Sequence, residues 1–131
     1  MLDVLRATLR WVVTVLMIFI GVMHFVADAF AQIIPPGLPW PYGLVWISGV
    51  LEIALGIALA FPRTRRWAGW GLVALYVAVF PANIYMAVAE VRIRDMPPVH
   101  PALLWGRLPF QVLFIALALW VSQPDARARR P

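Results

Sequence analysis

The apolar residues of this chain fall into four long runs, which are separated by short segments rich in proline or arginine. A helix needs about 20 mostly apolar residues to cross a bilayer, and each run approaches that length. The pattern predicts membrane-spanning helices at about residues 10–31, 44–61, 67–89 and 108–122. Together they would form a single transmembrane domain over residues 1–131, an all-α four-helix bundle.

The segments between the runs predict how the helices connect. Ile33–Gly43 and Arg92–Arg107 are rich in proline, which forbids a regular helix and limits flexibility. We therefore expect two ordered, proline-rich caps over the extracytoplasmic mouth of the bundle. The short arginine-rich turn after Pro62 predicts an antiparallel hairpin between the second and third helices. Pro81 should kink the third helix and free a backbone carbonyl near Val77.

Composition confirms the membrane class and removes several kinds of function. The chain is 63% hydrophobic and 13% charged, with a mean hydropathy of +0.85, whereas soluble chains carry about 25% charged residues. The absence of cysteine excludes a disulfide, thiol redox chemistry by this chain and a thiolate metal site. With two histidines, no transition-metal site is predicted. The net charge of +5 comes from dispersed clusters, so no nucleic-acid partner is predicted.

The arginine distribution predicts the topology. Eight of the eleven basic residues lie in the N-terminal segment, the turn at 63–66 and the C-terminal tail. The positive-inside rule then places both termini in the cytoplasm of a multi-pass protein, expected in a bacterial inner membrane. A cleaved signal peptide ending at Ala29-Phe30-Ala31 is the alternative for the first run. His24 and Asp28 fit that alternative poorly because they would precede the cleavage site.

Glu52 is the polar residue that the apolar pattern explains least. It lies near the middle of the second run, where an acidic group costs roughly 2.5–3.5 kcal/mol to insert. Ser48, Gly49 and Gly56 share its helix face, so neighbouring helices can approach closely there. We expect Glu52 to face protein or a pocket. Together with His24 it is the candidate for acid/base chemistry, and the two groups would titrate as a coupled pair.

Each run carries at least one strongly polar residue in its outer half, on a face at helical spacing. Four such faces turned inward would enclose a pocket with a polar floor and aromatic walls. An alternative remains for Asn83 and Gln111, which can serve as interhelical hydrogen-bond groups, and for His24 with Asp28, which can form an ordinary i,i+4 pair. The candidate ligand-binding residues are His24, Asp28, Trp40, Glu52, Tyr76, Phe80, Asn83, Arg107 and Gln111.

In order along nearly the whole chain, the sequence resembles the DoxX-like family of small four-helix membrane proteins. The motifs that carry the resemblance are Gly21-x-x-His24-Phe25, Ile34-Pro35-Pro36, Ser48-Gly49-x-x-Glu52, Phe80-Pro81-Ala82-Asn83-Ile84 and Arg107-x-Pro109-x-Gln111. The resemblance implies a transmembrane bundle with His24, Glu52, Asn83 and Gln111 at the family's polar positions. It also implies an accessory role in a quinone- or thiol-linked redox system. Direct dithiol exchange by this chain is disfavoured because it has no cysteine.

Three functions follow as alternatives. The first is a ligand-binding membrane module with a quinone- or lipid-sized pocket beside a redox partner protein. The second is a membrane-embedded acid/base enzyme, isomerase-like, that acts on an isoprenoid or sterol-like lipid through Glu52 and His24. The third is a structural or assembly factor without a ligand. The resemblance implies a quinone as the cofactor to consider, and the sequence shows no haem, nucleotide or metal motif. Self-association into a homo-oligomer is left open.

Overall fold

A computed structural model describes residues 1–94 and 97–124 of the chain. Within these residues the chain forms five helices. The bounds are α1 Leu2–Val26, α2 Ala29–Gln32, α3 Pro41–Ala60, α4 Arg65–Val88 and α5 Pro101–Val121. All but α2 are long and apolar enough to cross a membrane. The predicted all-α bundle of four spanning helices is confirmed, and the chain is an integral membrane protein.

The four long helices form a closed ring. α1 packs against α3, α3 against α4 and α4 against α5, while α5 returns to α1. Consecutive spanning helices are antiparallel, so the bundle has two different ends. We call them the terminal end, which holds the start of α1, the end of α5 and the α3–α4 turn, and the connection end, which holds residues 27–40, 89–94 and 97–100. α3 and α5 lie diagonally across the ring.

The bounds of two helices, α1 and α5, differ most from the sequence-based prediction. α1 begins at Leu2. It ends at Val26 because Ala27 adopts an extended conformation, and residues 29–32 form the separate helix α2. α5 begins at Pro101, about two turns before the predicted start. Proline is well suited to the first position of a helix, where no backbone N–H donor is needed. His100 caps this helix through its Nδ1, which accepts from the Ala102 N–H at 3.2 Å.

The prediction of two non-helical proline-rich caps is therefore wrong for residues 41–43 and 101–107, which are helical. The remaining parts of the two connections contact each other: the Arg94 N–H donates to Gln32 Oε1 at 2.8 Å. Ile33 and Ile93 also pack on a small apolar cluster around Met86 and Leu104. Residues 95–96 of the second segment, and the C-terminal tail from 125 to 131 that entered the topology argument, lie outside the described residues.

Arginines of α1 fix the terminal end. The buried Arg10 side chain donates from Nε to the Val121 carbonyl at 2.8 Å. Arg6 donates to the Pro124 carbonyl at 3.2 Å and lies 5.2 Å from the Trp120 ring centroid. The last carbonyls of a helix have no partner within it and favour nearby cations. These arginines therefore bind α1 to the end of α5.

Apolar packing is densest toward the same end. The main core joins all four long helices through Val13, Met17, Leu59, Ala68, Leu72, Tyr76, Ala118 and Val121. Most of these side chains are almost inaccessible. Toward the connection end the core gives way to open space between the helices. The bundle is thus tightly closed at one end and hollow at the other.

α1 and α3 approach each other closely through glycines. A Cβ placed on Gly21 would lie 2.7 Å from the Gly49 carbonyl oxygen, and one on Gly49 would lie 2.8 Å from the Gly21 oxygen. A Cβ on Gly56 would also lie 2.8 Å from the Met17 Cβ. Small residues at such a crossing let two helix backbones pack directly on each other in a membrane. This crossing fixes the distance between α1 and α3.

We expect Gly49→Ala to destabilise the protein by about 1–3 kcal/mol, the usual cost of overpacking, because the new methyl group meets the α1 backbone. Thermal unfolding in detergent micelles measures the effect. Gly106→Ala is the matched control, since a Cβ at this α5 position meets no atom within 4 Å. The control should be neutral or slightly stabilising, as alanine favours a helix over glycine. Equal melting temperatures for the two variants would contradict the close crossing.

Candidate functional site

A cavity of about 720 Å³ occupies the connection end of the bundle. α1, α3, α4 and α5 all contribute to its walls, and residues 30–38 contribute from the first connection. The lining is mostly apolar, yet polar side chains reach it from every long helix. These polar residues are His24, Ser48, Glu52, Tyr76, Asn83, Arg107 and Gln111.

His24 and Glu52 meet at the deep side of this cavity. His24 Nδ1 lies 3.3 Å from Glu52 Oε2, and both side chains are at most 10% exposed. His24 Nδ1 also lies 2.8 Å from the Ile20 carbonyl oxygen. A carbonyl only accepts, so Nδ1 carries the hydrogen and donates it to Ile20, one helical turn earlier. The imidazole is therefore oriented by its own helix and rests against the carboxyl group.

The glycine crossing makes this contact possible. A Cβ on Gly49 would lie 2.8 Å from the Cβ of His24, so any larger residue would push the imidazole away from α3. On its other side, the His24 ring stacks on Phe30, with centroids 4.0 Å apart and an interplanar angle of 18°. Phe30 belongs to α2 and also lines the cavity. His24 is thus held between a carboxyl group and an aromatic ring.

A second polar group joins α4 to α5 across the cavity. Asn83 Nδ2 donates to Gln111 Oε1 at 2.6 Å, and Gln111 Nε2 donates to the backbone carbonyl of Tyr76. Gln111 thus binds the carbonyl of Tyr76, whereas Pro81 was expected to free a carbonyl near Val77, the next residue along the chain. Gln111 is buried, with 7% of its surface exposed. The Asn83–Gln111 bond therefore fixes the register of these two helices as well as lining the cavity.

Tyr76 connects this group to α1. Its hydroxyl donates to Met17 Sδ at 2.8 Å across the diagonal of the ring. Its ring packs edge-on against Phe114 of α5 at a centroid distance of 5.2 Å. Because Tyr76 also belongs to the main core, it marks the boundary between the packed half of the bundle and the cavity.

Arg107 lies at the edge of the cavity on α5. Its side chain is exposed, and NH1 donates to Met86 Sδ at 3.2 Å. Three residues that were predicted to bind a ligand do not line the cavity: Asp28, Trp40 and Phe80. Asp28 does not share a helix face with His24, because α1 ends at Val26.

Trp40 and Phe80 lie outside the cavity. Trp40 adopts a left-handed backbone conformation before α3, is 65% exposed, and its ring lies against Gly43. On α4, Tyr76 and Asn83 line the cavity, as do Val79 and Pro81 on either side of Phe80, but Phe80 itself does not. The sites predicted at these three positions are therefore not part of the cavity.

Some lining residues were not predicted as site residues. Ser48 lies one helical turn before Glu52 on the same face of α3, so its position in the sequence already indicated that it would line the same site. Phe114 lies on the Gln111 face of α5, again at helical spacing. Phe30 had no comparable signal, because it comes from a short helix that the apolar pattern merges with α1. Its role depends on the break at Ala27.

The cavity is open along one side rather than enclosed. Ile47 and Leu51 of α3 and Phe110 of α5 line it and are 50%, 43% and 64% exposed. All three belong to spanning helices, so this edge lies at the level of lipid chains. Among the described residues no three His, Asp or Glu side chains are grouped as metal ligands. The arrangement can accommodate a hydrophobic molecule whose polar group reaches the Glu52 and Gln111 regions.

Comparison with known proteins places the chain in a family without naming an activity. Residues 13–122 match a family described as a domain of unknown function (DUF8561). No curated protein and no solved structure matches the chain. The resemblance to the DoxX-like family stays a prediction. Because the match covers most of the sequence and includes part or all of each long helix, the chain belongs to the DUF8561 family.

Proposed function

We propose that this protein is a membrane-embedded module that binds a hydrophobic molecule carrying a polar group. One observation carries the proposal: polar side chains from four apolar helices converge on one cavity. Intramembrane ionisable residues are costly and functional by default. Glu52 supports the proposal most directly, since its Oε2 is buried without a hydrogen-bond partner among the described residues.

The size and chemistry of the cavity agree with a small-molecule ligand. Its volume of about 720 Å³ lies within the range of about 300–1,000 Å³ typical of such sites. Apolar walls with a few convergent polar groups are also typical of them. The open edge at Ile47, Leu51 and Phe110 offers a route from the bilayer. A quinone or a lipid of similar size satisfies these conditions.

The physiological context that we propose is an accessory role beside a redox partner protein. It is supported by the DoxX-like resemblance, whose polar positions His24, Glu52, Asn83 and Gln111 all line the cavity. In this role His24 and Glu52 bind the ligand or move a proton, while Asn83 and Gln111 orient its carbonyl or hydroxyl oxygen. We place the protein in a bacterial inner membrane.

A second candidate is an acid/base enzyme acting on an isoprenoid or sterol-like lipid. The observation that favours it is the 3.3 Å contact between His24 Nδ1 and Glu52 Oε2 beside the cavity. Such a pair could remove a proton from one carbon and return it to another. Turnover of a candidate lipid by purified protein distinguishes this candidate from a binding module.

We expect both termini to be cytoplasmic, which puts the cavity in the outer half of the membrane. A C-terminal phosphatase fusion, active only outside the cytoplasm, should be silent, whereas a C-terminal fluorescent protein should be bright. The phosphatase inserted after Gly37, in the first connection, is the positive control and should be active. Strong activity of the C-terminal phosphatase fusion would reverse the proposed orientation.

The binding role predicts that wild-type protein retains a hydrophobic molecule through purification in a mild detergent. We expect Glu52→Gln to retain at least several-fold less, because it replaces the carboxyl group with an amide while keeping the shape of the side chain. His24→Ala should also lose ligand, since the imidazole rests on the carboxyl group. Native mass spectrometry measures the retained molecules, and thermal unfolding checks that each variant is folded.

Glu90→Gln is the matched control for the charge change. Glu90 is an exposed residue just after α4 and does not line the cavity. This variant should retain as much ligand as the wild type. If no molecule is retained by wild type, or if Glu52→Gln retains the same amount, the polar residues serve packing alone.

A further inference from the structure

Donors and acceptors are unequally available around Glu52. Ser48 Oγ donates to the Val45 carbonyl at 2.8 Å, and the Tyr76 hydroxyl donates to Met17 Sδ at 2.8 Å. His24 Nδ1 donates to the Ile20 carbonyl at 2.8 Å. Each of these three cavity-lining groups therefore uses its hydrogen within the protein. Toward a ligand, the hydroxyl oxygens and His24 Nε2 offer lone pairs.

Glu52 receives none of these hydrogens. Its side chain is 8% exposed, and the carboxyl group accepts no hydrogen bond from the described residues, although His24 Nδ1 lies 3.3 Å away. An unsatisfied buried polar group is costly, and the cost is larger when the group is charged. A carboxyl group can accept a hydrogen bond whether or not it is protonated. The described side chains around Glu52 therefore supply it with no hydrogen.

The amide pair on the opposite side has the complementary property. Asn83 Nδ2 and Gln111 Nε2 each use one hydrogen, toward Gln111 Oε1 and the Tyr76 carbonyl. A side-chain amide nitrogen carries two hydrogens, so each keeps one for a further acceptor. Asn83 and Gln111 thus keep donors for a ligand, whereas Ser48, Tyr76 and His24 offer it only lone pairs.

We propose that the ligand is a neutral lipophile bearing a hydroxyl group, an alcohol or a phenol. This inference rests on the proposed binding function and specifies its ligand class. A hydroxyl group can donate to Glu52 and still has lone pairs for a donor of the cavity, whereas a ketone, ester or ether oxygen can only accept. An ammonium group can only donate, and it would also lie in a cavity whose edge carries the Arg107 guanidinium. The apolar walls and the open edge take the hydrocarbon part.

The test uses three probes with the same alkyl chain: nonylphenol, its methyl ether and the corresponding benzylamine. Full-length protein in lipid nanodiscs is titrated with each probe, and the rise of the melting temperature with concentration gives the affinity. We expect the phenol to bind about tenfold or more tightly than the ether, since the ether loses a hydrogen bond to a carboxylate. The benzylamine should bind no better than the ether. This comparison needs no variant.

The Glu52→Gln variant then tests whether Glu52 causes the preference for the phenol over the ether. The glutamine amide offers a weaker acceptor and adds a donor for the ether oxygen, so the ratio of phenol to ether affinity should fall several-fold. Glu90→Gln, which lies outside the cavity, should keep the wild-type ratio. Partition into the nanodisc lipid cancels when the ratio is compared between proteins in the same discs, and the wild-type ratio is calculated from the concentration of each probe in the lipid.

The outcomes separate the two levels of the proposal. If the ether or the benzylamine binds as tightly as the phenol, the hydroxyl inference is wrong while the binding function stands. A ratio that survives unchanged in Glu52→Gln also overturns the inference. If no probe shifts the melting temperature saturably and wild-type protein retains no molecule, the binding function itself fails, and the inference fails with it.

Discussion

The direct contact between the backbones of α1 and α3 is the constraint on which the site depends. Gly21 and Gly49 allow it, because a Cβ on either residue would lie within 2.8 Å of the other helix's carbonyl oxygen. His24 and Glu52 each lie one turn from these glycines, on the same faces. Within a membrane the hydrophobic effect does not drive helices together, so close packing and polar contacts must do so. The same crossing therefore stabilises the bundle and brings an imidazole to a carboxyl group.

The two ends of the bundle differ, because one is tightly packed and the other contains the cavity. At the terminal end, arginines of α1 bind the last carbonyls of α5, and the main core fills the space between the helices. At the connection end, a cavity of about 720 Å³ replaces that packing. Unfilled space costs stability because its lining atoms lose contacts. A molecule that fills this space would restore those contacts, which agrees with the proposed binding role.

The two polar groups in the cavity differ in how well they are satisfied. Asn83 and Gln111 bond to each other and to the backbone of α4, so they would join α4 to α5 with or without a ligand. Glu52 has only the edge of an imidazole whose hydrogen is directed to Ile20. A structural role accounts for the amide pair but leaves the carboxyl group unexplained. Glu52 therefore supports the proposed binding function more strongly than any other residue does.

The sequence alone determined the class of this protein, because four apolar runs of membrane-spanning length leave a helical bundle as the structure that satisfies every backbone group in lipid. Helical spacing also identified the faces of Glu52, Asn83 and Gln111. Tertiary structure decided the rest. Asp28 fell outside the cavity because the break at Ala27 ends α1 before it, and Phe80 lies outside it although Val79 and Pro81 line it. Phe30 entered it through the chain that folds back after α1. Periodicity fixes which residues share a face, but only packing between helices decides where that face points.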